Sequence, residues 1–122
     1  MSETATETQA HAERTPLVDL LGGSARVRIA SVFATKPSRE LSISEVSRLA
    51  GASRNTVYTH VDANDPETFD LVDLGVVERL ETNGPGHRYR FDGDSMVAEK
   101  LRELSGAALR RRQELREDVQ AP

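Results

Sequence analysis

A single glycine, Gly51, separates two short segments whose apolar residues recur at helical spacing, and this arrangement constrains the fold more than any other feature. Before it, Val46, Leu49 and Ala50 share one side of a helix that Ser44 can cap, while Glu45, Ser47 and Arg48 face water. Glycine adopts positive φ at little cost, so the chain can reverse within three residues before Ser53 caps a second helix. In that helix Val57 and Val61 lie four apart and pack on the first. Asn55, Thr56 and Thr59 are left on the opposite side, flanked by Arg54, Tyr58 and His60.

Further on, Val76 to Glu81 and His87 to Phe91 read as two strands joined by Asn83-Gly84-Pro85-Gly86, a hairpin. Tyr89 and Phe91 alternate with Arg88 and Arg90, so one face is apolar and both guanidinium groups point outward. Residues 95–119 contain one glycine and no proline, and Asp94 or Ser95 can cap them, which predicts a long helix. Along it Val97, Leu101, Leu104 and Ala108 keep coiled-coil-like spacing, Arg111 interrupts, and Leu115 resumes. Two arrangements follow from that stripe: the helix folds back on its own domain, or it pairs with a second copy.

The ordered set of Ile43 to Tyr58, Leu74-Gly75-Val76-Val77 and the Gly-rich hairpin resembles the winged helix-turn-helix transcriptional regulators of the ArsR and MarR type. The likeness starts at Leu20-Leu21-Gly22-Gly23-Ser24-Ala25-Arg26-Val27-Arg28-Ile29, similar to the first helix of those proteins, and spans roughly residues 16 to 95. It implies a mainly α fold with a small β-hairpin wing, a long C-terminal helix, a double-stranded DNA partner and a homodimer built through Val97, Leu101, Leu104, Ala108 and Leu115. Arg54, Asn55, Thr56 and Thr59 are expected in the major groove, Ser53 and Tyr58 on phosphates, and Arg88 and Arg90 along the flanking backbone or minor groove. Arg26 and Arg28 sit about 200° apart on a helix, so only one can approach the DNA backbone. The resemblance selects Arg26. His60 stands at the edge of the recognition helix, open to a phosphate or base contact or to plain solvent exposure.

One segment departs from the family pattern. Ala63-Asn64-Asp65-Pro66-Glu67-Thr68-Phe69 intervenes where those proteins continue directly into a stretch like Asp70-Leu71-Val72-Asp73. Asn64 or Asp65 followed by Pro66 predicts a new helix there, so the recognition helix should stop near Asp62. The acids of residues 62–73 also motivate an alternative: a protein-interaction module that keeps the winged-helix shape and docks through this segment.

Charge distribution supports the first reading. The net charge of −4 argues against nucleic acid, yet residues 16–60 hold six basic and three acidic side chains, while residues 61–75 hold five acids and no base. Fourteen arginines against two lysines, with 20 acids, resembles haloarchaeal composition. In molar salt the screening length shrinks to about 3 Å, so close contacts would have to carry recognition.

With 122 residues there is room for a leader at 1–15, one domain at 16–94 and the helix at 95–122. Met1 to Thr15 holds no large apolar residue and is expected to be disordered, and the lack of a signal-like or membrane-spanning run predicts a cytoplasmic chain. The absence of cysteine removes thiolate catalysis and cysteine-based metal sensing. His11, His60 and His87 share no ligand spacing, and Asp62-x-Asn64 and Asp92-x-Asp94 lack the glycine and distal glutamate of a calcium loop. Gly51-Ala52-Ser53 has Asn55 where a nucleophile elbow needs glycine, and Gly84-x-Gly86 lacks the third glycine of a dinucleotide loop. No enzyme activity, cofactor or metal is expected, and no effector pocket is recognisable.

Overall fold

A computed structural model describes residues 15–120. Its elements run α1 (Pro16–Leu21), α2 (Ala25–Thr35), β1 (Leu41–Ser42), α3 (Ile43–Ala50), α4 (Arg54–Val61), β2 (Val77–Leu80), β3 (Arg88–Phe91) and α5 (Met96–Gln120). The fold is mainly helical, with one antiparallel sheet in the order β1-β3-β2. The leader expected at residues 1–15 lies outside the described residues except for Thr15. Thr15 is buried, and its hydroxyl accepts from Ser31 of α2.

The stretch Leu20 to Ile29, expected within one first helix, is broken. α1 stops at Leu21 because Gly22 turns to φ 92°, and the chain restarts as α2 when the Ser24 side chain accepts the Val27 amide. α2 supplies the centre of the core: Ile29, Val32 and Phe33 are fully buried and meet Val46 of α3, Val57 and Val61 of α4, and Tyr89 of β3.

α3 begins two residues earlier than expected, because its cap is Ser42 rather than Ser44. The Ser42 hydroxyl accepts the Glu45 amide at 3.2 Å while the Glu45 carboxylate accepts the Ser42 amide at 3.1 Å, a reciprocal capping box. Gly51 ends α3 in the left-handed conformation, φ 68°, as its position predicts. β2 and β3 match the expected hairpin to within one residue at each end, in a register that sets Glu78 opposite Arg90 and Arg79 opposite Tyr89. The short β1 extends the sheet by placing Ser42 beside Arg88.

No helix forms at Pro66. The segment after α4 is a series of turns organised by Asp70, which is 2% exposed. One Asp70 carboxylate oxygen accepts the Ala63 and Asn64 amides at 2.9 and 3.3 Å, and the other accepts the Asp73 amide at 2.8 Å. Asp70 thus pins both ends of the segment, while the Glu67 and Thr68 amides turn back to Asp65, to its side chain at 2.9 Å and its carbonyl at 3.2 Å. Gly75 follows with φ 78°, where an added Cβ would stand 2.8 Å from the Ser95 hydroxyl, so only glycine fits between this segment and the start of α5.

Ser95 opens α5 by accepting the Ala98 amide, and the helix lies back along α1 and α2. Ala98 is fully buried and Leu101 packs against the core, with Ser105, Ala108 and Arg112 half-buried on the same side. Arg112 closes the contact through Asp19 of α1 at 2.9 Å. The stripe expected to dimerise is therefore split: Leu101 and Ala108 face the chain's own domain, whereas Val97, Leu104 and Leu115 are exposed. None of the helices is long and apolar enough to cross a membrane, among the described residues.

Replacing Asp70 with Ala strands three backbone amides in a half-buried turn, and we expect unfolding free energy to fall by about 3 kcal/mol. Urea denaturation of the two proteins measures it, with a loss under about 0.5 kcal/mol inconsistent with the organising role.

Candidate nucleic-acid interface

α4 is the exposed polar helix that the sequence predicts, and its placement follows from three local devices. The Ser53 hydroxyl accepts the Thr56 amide at 3.1 Å and fixes where the helix begins. Val57 and Val61, both fully buried, press one side onto the core. At the far end Asp62 accepts from the Tyr89 hydroxyl at 2.8 Å and from Arg79 at 3.1 Å, which ties the helix terminus to the sheet. Burial and the bond to Asp62 raise the Tyr89 hydroxyl well above its ordinary pKa, so it stays a donor.

The outward side carries Ser53, Arg54, Asn55, Tyr58 and Thr59, all exposed, with Thr56 half-buried at one flank. The Thr59 hydroxyl donates to the Asn55 carbonyl at 2.9 Å, and the Ser53 and Thr56 hydroxyls share a 2.9 Å hydrogen bond. Among the described residues, the side chains of Arg54, Asn55 and Tyr58 have neither hydrogen-bond nor ion-pair partners. Arg54 stands in the first turn, where the unsatisfied amides of the helix add to its positive potential.

Two of the residues expected at this surface are held within the fold. Arg26 donates from Nε to His60 Nδ1 at 3.2 Å and from Nη2 to the Phe69 carbonyl at 2.8 Å, bracing α4 and the following turns against α2. His60 is half-buried, and desolvation, with Arg26 beside it, lowers its pKa below the ordinary 6.5. Arg28, expected as a surface charge, is no freer. Its guanidinium donates to the carbonyls of Ala50 at 2.8 Å and Gly51 at 3.2 Å, and also to that of Gly23.

The hairpin arginines point outward as expected but are already paired. Arg90 meets Glu78 directly across the strand pair at 2.6 Å, and Arg88 reaches Glu45 of α3 at 3.3 Å. Glu45 also holds Arg39 at 3.4 Å. By contrast, Arg48, on the exposed side of α3, has no ion pair among the described residues. The sequence places Glu45 and Arg48 on the water-facing side of this helix without marking either as functional. Their exposure at helical spacing opposite Val46 and Ala50 was the available signal for Arg48; nothing local announced the two arginines on Glu45.

No protein-family model, curated protein or solved structure matches the chain. Its chemistry is read from the surface itself: a short helix bearing one amide, one free guanidinium, one phenol and several hydroxyls, a set able to bond to base edges and phosphate oxygens. Among the described residues, no hydrogen bond or ion pair joins the acids of residues 62–73 to the outward side chains Ser53, Arg54, Asn55, Tyr58 and Thr59. Asp62, Asp70 and Asp73 spend their carboxylates on Tyr89 and Arg79, on Ala63, Asn64 and Asp73 amides, and on the Asp70 amide respectively.

The depressed pKa of His60 sets a pH dependence. Its neutral form is favoured by folding, so the contribution is intact above pH 6.5 and is lost as pH falls below that value through the folded-state pKa. An NMR titration should place the His60 midpoint below 6.5, and His60→Gln should flatten the loss of stability on acidification. Parallel acid profiles in the two proteins would contradict this.

Proposed function

We propose that the chain is a sequence-specific, double-stranded DNA-binding transcriptional regulator with a winged helix-turn-helix fold, acting as a homodimer. The observation that carries this reading is the outward side of α4, whose Arg54, Asn55 and Tyr58 are exposed and unengaged next to a turn and a hairpin. In this reading α4 enters the major groove. Asn55 and Thr59, at the centre of its outer side, meet base edges together with Arg54 and Thr56, while Ser53 and Tyr58 hold phosphates. The hairpin of β2 and β3 is the wing, and its Arg88 and Arg90 stand beside the flanking backbone paired to Glu45 and Glu78. Arg26 and His60 take the role of a brace behind the helix.

Support for a dimer comes from apolar surface. Leu21, Leu74, Val97 and Leu104 are exposed around a groove of about 370 Å³ between α1, α2 and α5. A contiguous patch of this kind marks an association surface on a soluble domain. Two copies joined through α5 would present their α4 helices about 34 Å apart, matched to an inverted repeat. Arginine-rich, lysine-poor and acidic composition fits a cell interior of high salt, in which short-range contacts at α4 outweigh long-range attraction.

The alternative, docking of a protein through residues 62–73, has one observation in its favour: Phe69 is 68% exposed on that segment. Its acidic side is weaker, because four of the five carboxylates serve internal donors.

Two measurements test the proposal. Asn55→Ala should lower discrimination between selected and scrambled duplexes by about 1–3 kcal/mol, read by fluorescence titration, and an equal loss on both would contradict the role of Asn55. Leu104→Glu should convert a dimer to a monomer in sedimentation equilibrium without altering the circular dichroism spectrum. A wild-type chain that sediments as a monomer at all concentrations would remove the dimer.

A further inference from the structure

Glu45 gathers donors from three places onto one carboxylate. Oε1 accepts the Ser42 amide at 3.1 Å and Arg88 Nη1 at 3.3 Å, and Oε2 accepts Arg39 Nη2 at 3.4 Å. The two arginines come from different segments: Arg39 from the loop before β1, Arg88 from the first residue of β3, which the sheet register sets beside Ser42. Both guanidinium side chains are about half exposed, at 53% and 47%, while Glu45 is 24% exposed. The Ser42 amide, more than the arginines, holds the Glu45 carboxyl below its ordinary pKa, so the charge persists at neutral pH.

Two tasks of Glu45 separate chemically. Capping α3 requires only an acceptor at the third helical position, which glutamine supplies as well as glutamate. Restraining guanidinium groups requires the negative charge. Phosphate, with its own charge and several acceptor oxygens, competes for the same donors.

Resting on the DNA-binding reading above, we infer that Glu45 is a charge gate on that interface: it holds Arg39 and Arg88 away from the phosphate backbone and so limits sequence-independent affinity. With both arginines held, Arg48 and Arg54 are the exposed cations left for phosphate on α3 and α4. Binding is then shallow in its salt dependence, and a larger share of affinity rests on base contacts at α4. The arginines stay within reach of a duplex once one is docked, since neither pair is buried.

Full-length wild type, Glu45→Gln, Arg88→Ala and the combined Glu45→Gln/Arg88→Ala protein are titrated with a fluorescein-labelled duplex of scrambled sequence across a KCl series. Glu45→Gln should bind roughly fivefold tighter at the lowest salt and steepen the slope of log affinity against log salt by about one to two per protomer. Adding Arg88→Ala to that background should remove about one unit of the gained slope, whereas Arg88→Ala alone should change it by much less than one. A Glu45→Gln protein with the wild-type slope, both proteins binding, overturns the inference and leaves the DNA-binding reading standing. Wild type that binds neither scrambled duplex nor a pool of genomic fragments at any salt overturns that reading first. If Glu45→Gln does not fold, the Arg39→Ala/Arg88→Ala pair decides: an unchanged slope supports the gate, and a loss of about two units refutes it.

Discussion

Three backbone carbonyls converge on the guanidinium of Arg28, and the position of the outward helix depends on that convergence. α3 ends at Ala50, whose carbonyl has no partner within the helix, and the left-handed Gly51 turns a second one outward. Arg28 donates to both and to Gly23, in the break before its own helix. The turn between α3 and α4 is thereby fastened to α2 by charge-assisted bonds. Asp62 performs the corresponding service at the other end of α4 by accepting from two sheet residues. Eight residues are too few for a stable helix in water. Held at both ends and by two buried valines, α4 leaves only its outer side without support from the fold.

What was legible in the sequence was local. Gly51 as a helix stop, Ser53 as a cap, the end of α4 near Asp62 and the pairing of the hairpin each depend on residues within a few positions of one another, and each appears in the structure. Even the missed break after α1 had a local signal, because Gly22-Gly23-Ser24 offers a helix stop followed by a cap. The absent helix at Pro66 is different in kind. Proline suits a first helical position, but the segment is pinned at both ends by Asp70, whose burial follows from packing that no short window reveals. β1 is similarly invisible: two residues become a strand only because β3 lies alongside.

The candidate site divides the same way. The exposed row on α4 follows from a spacing of about 100° per residue and the position of two valines. Arg26 and His60 could not be assigned from spacing, since they meet across 34 positions of sequence. α5 carries two sides on one stripe. The seam beginning at Val97 shares Leu101 and Ala108 with the inward side that begins at Ala98, so those two pack on the chain's own domain while Val97, Leu104 and Leu115 stay exposed.

Charge is where reading by segments and reading by contacts diverge most. Counted along the chain, residues 16–60 carry a balance of +3 and the hairpin adds arginines, which describes a basic face. In space the arginines of the hairpin are matched by acids from other segments: Arg79 by Asp62 after α4, Arg88 by Glu45 in α3, and Arg90 by Glu78 across the strand pair. The face is therefore closer to neutral than its composition, with Arg48 and Arg54 as its unmatched cations on α3 and α4. Exposed pairs of this type stabilise the fold by at most about 1 kcal/mol each, so stability alone does not explain why three hairpin arginines are each met by a carboxylate. In the proposed DNA-binding reading, their larger effect is on how the surface presents charge to a polyanion. A surface neutralised by its own acids discriminates by hydrogen-bond geometry, and that is the chemistry left exposed on α4.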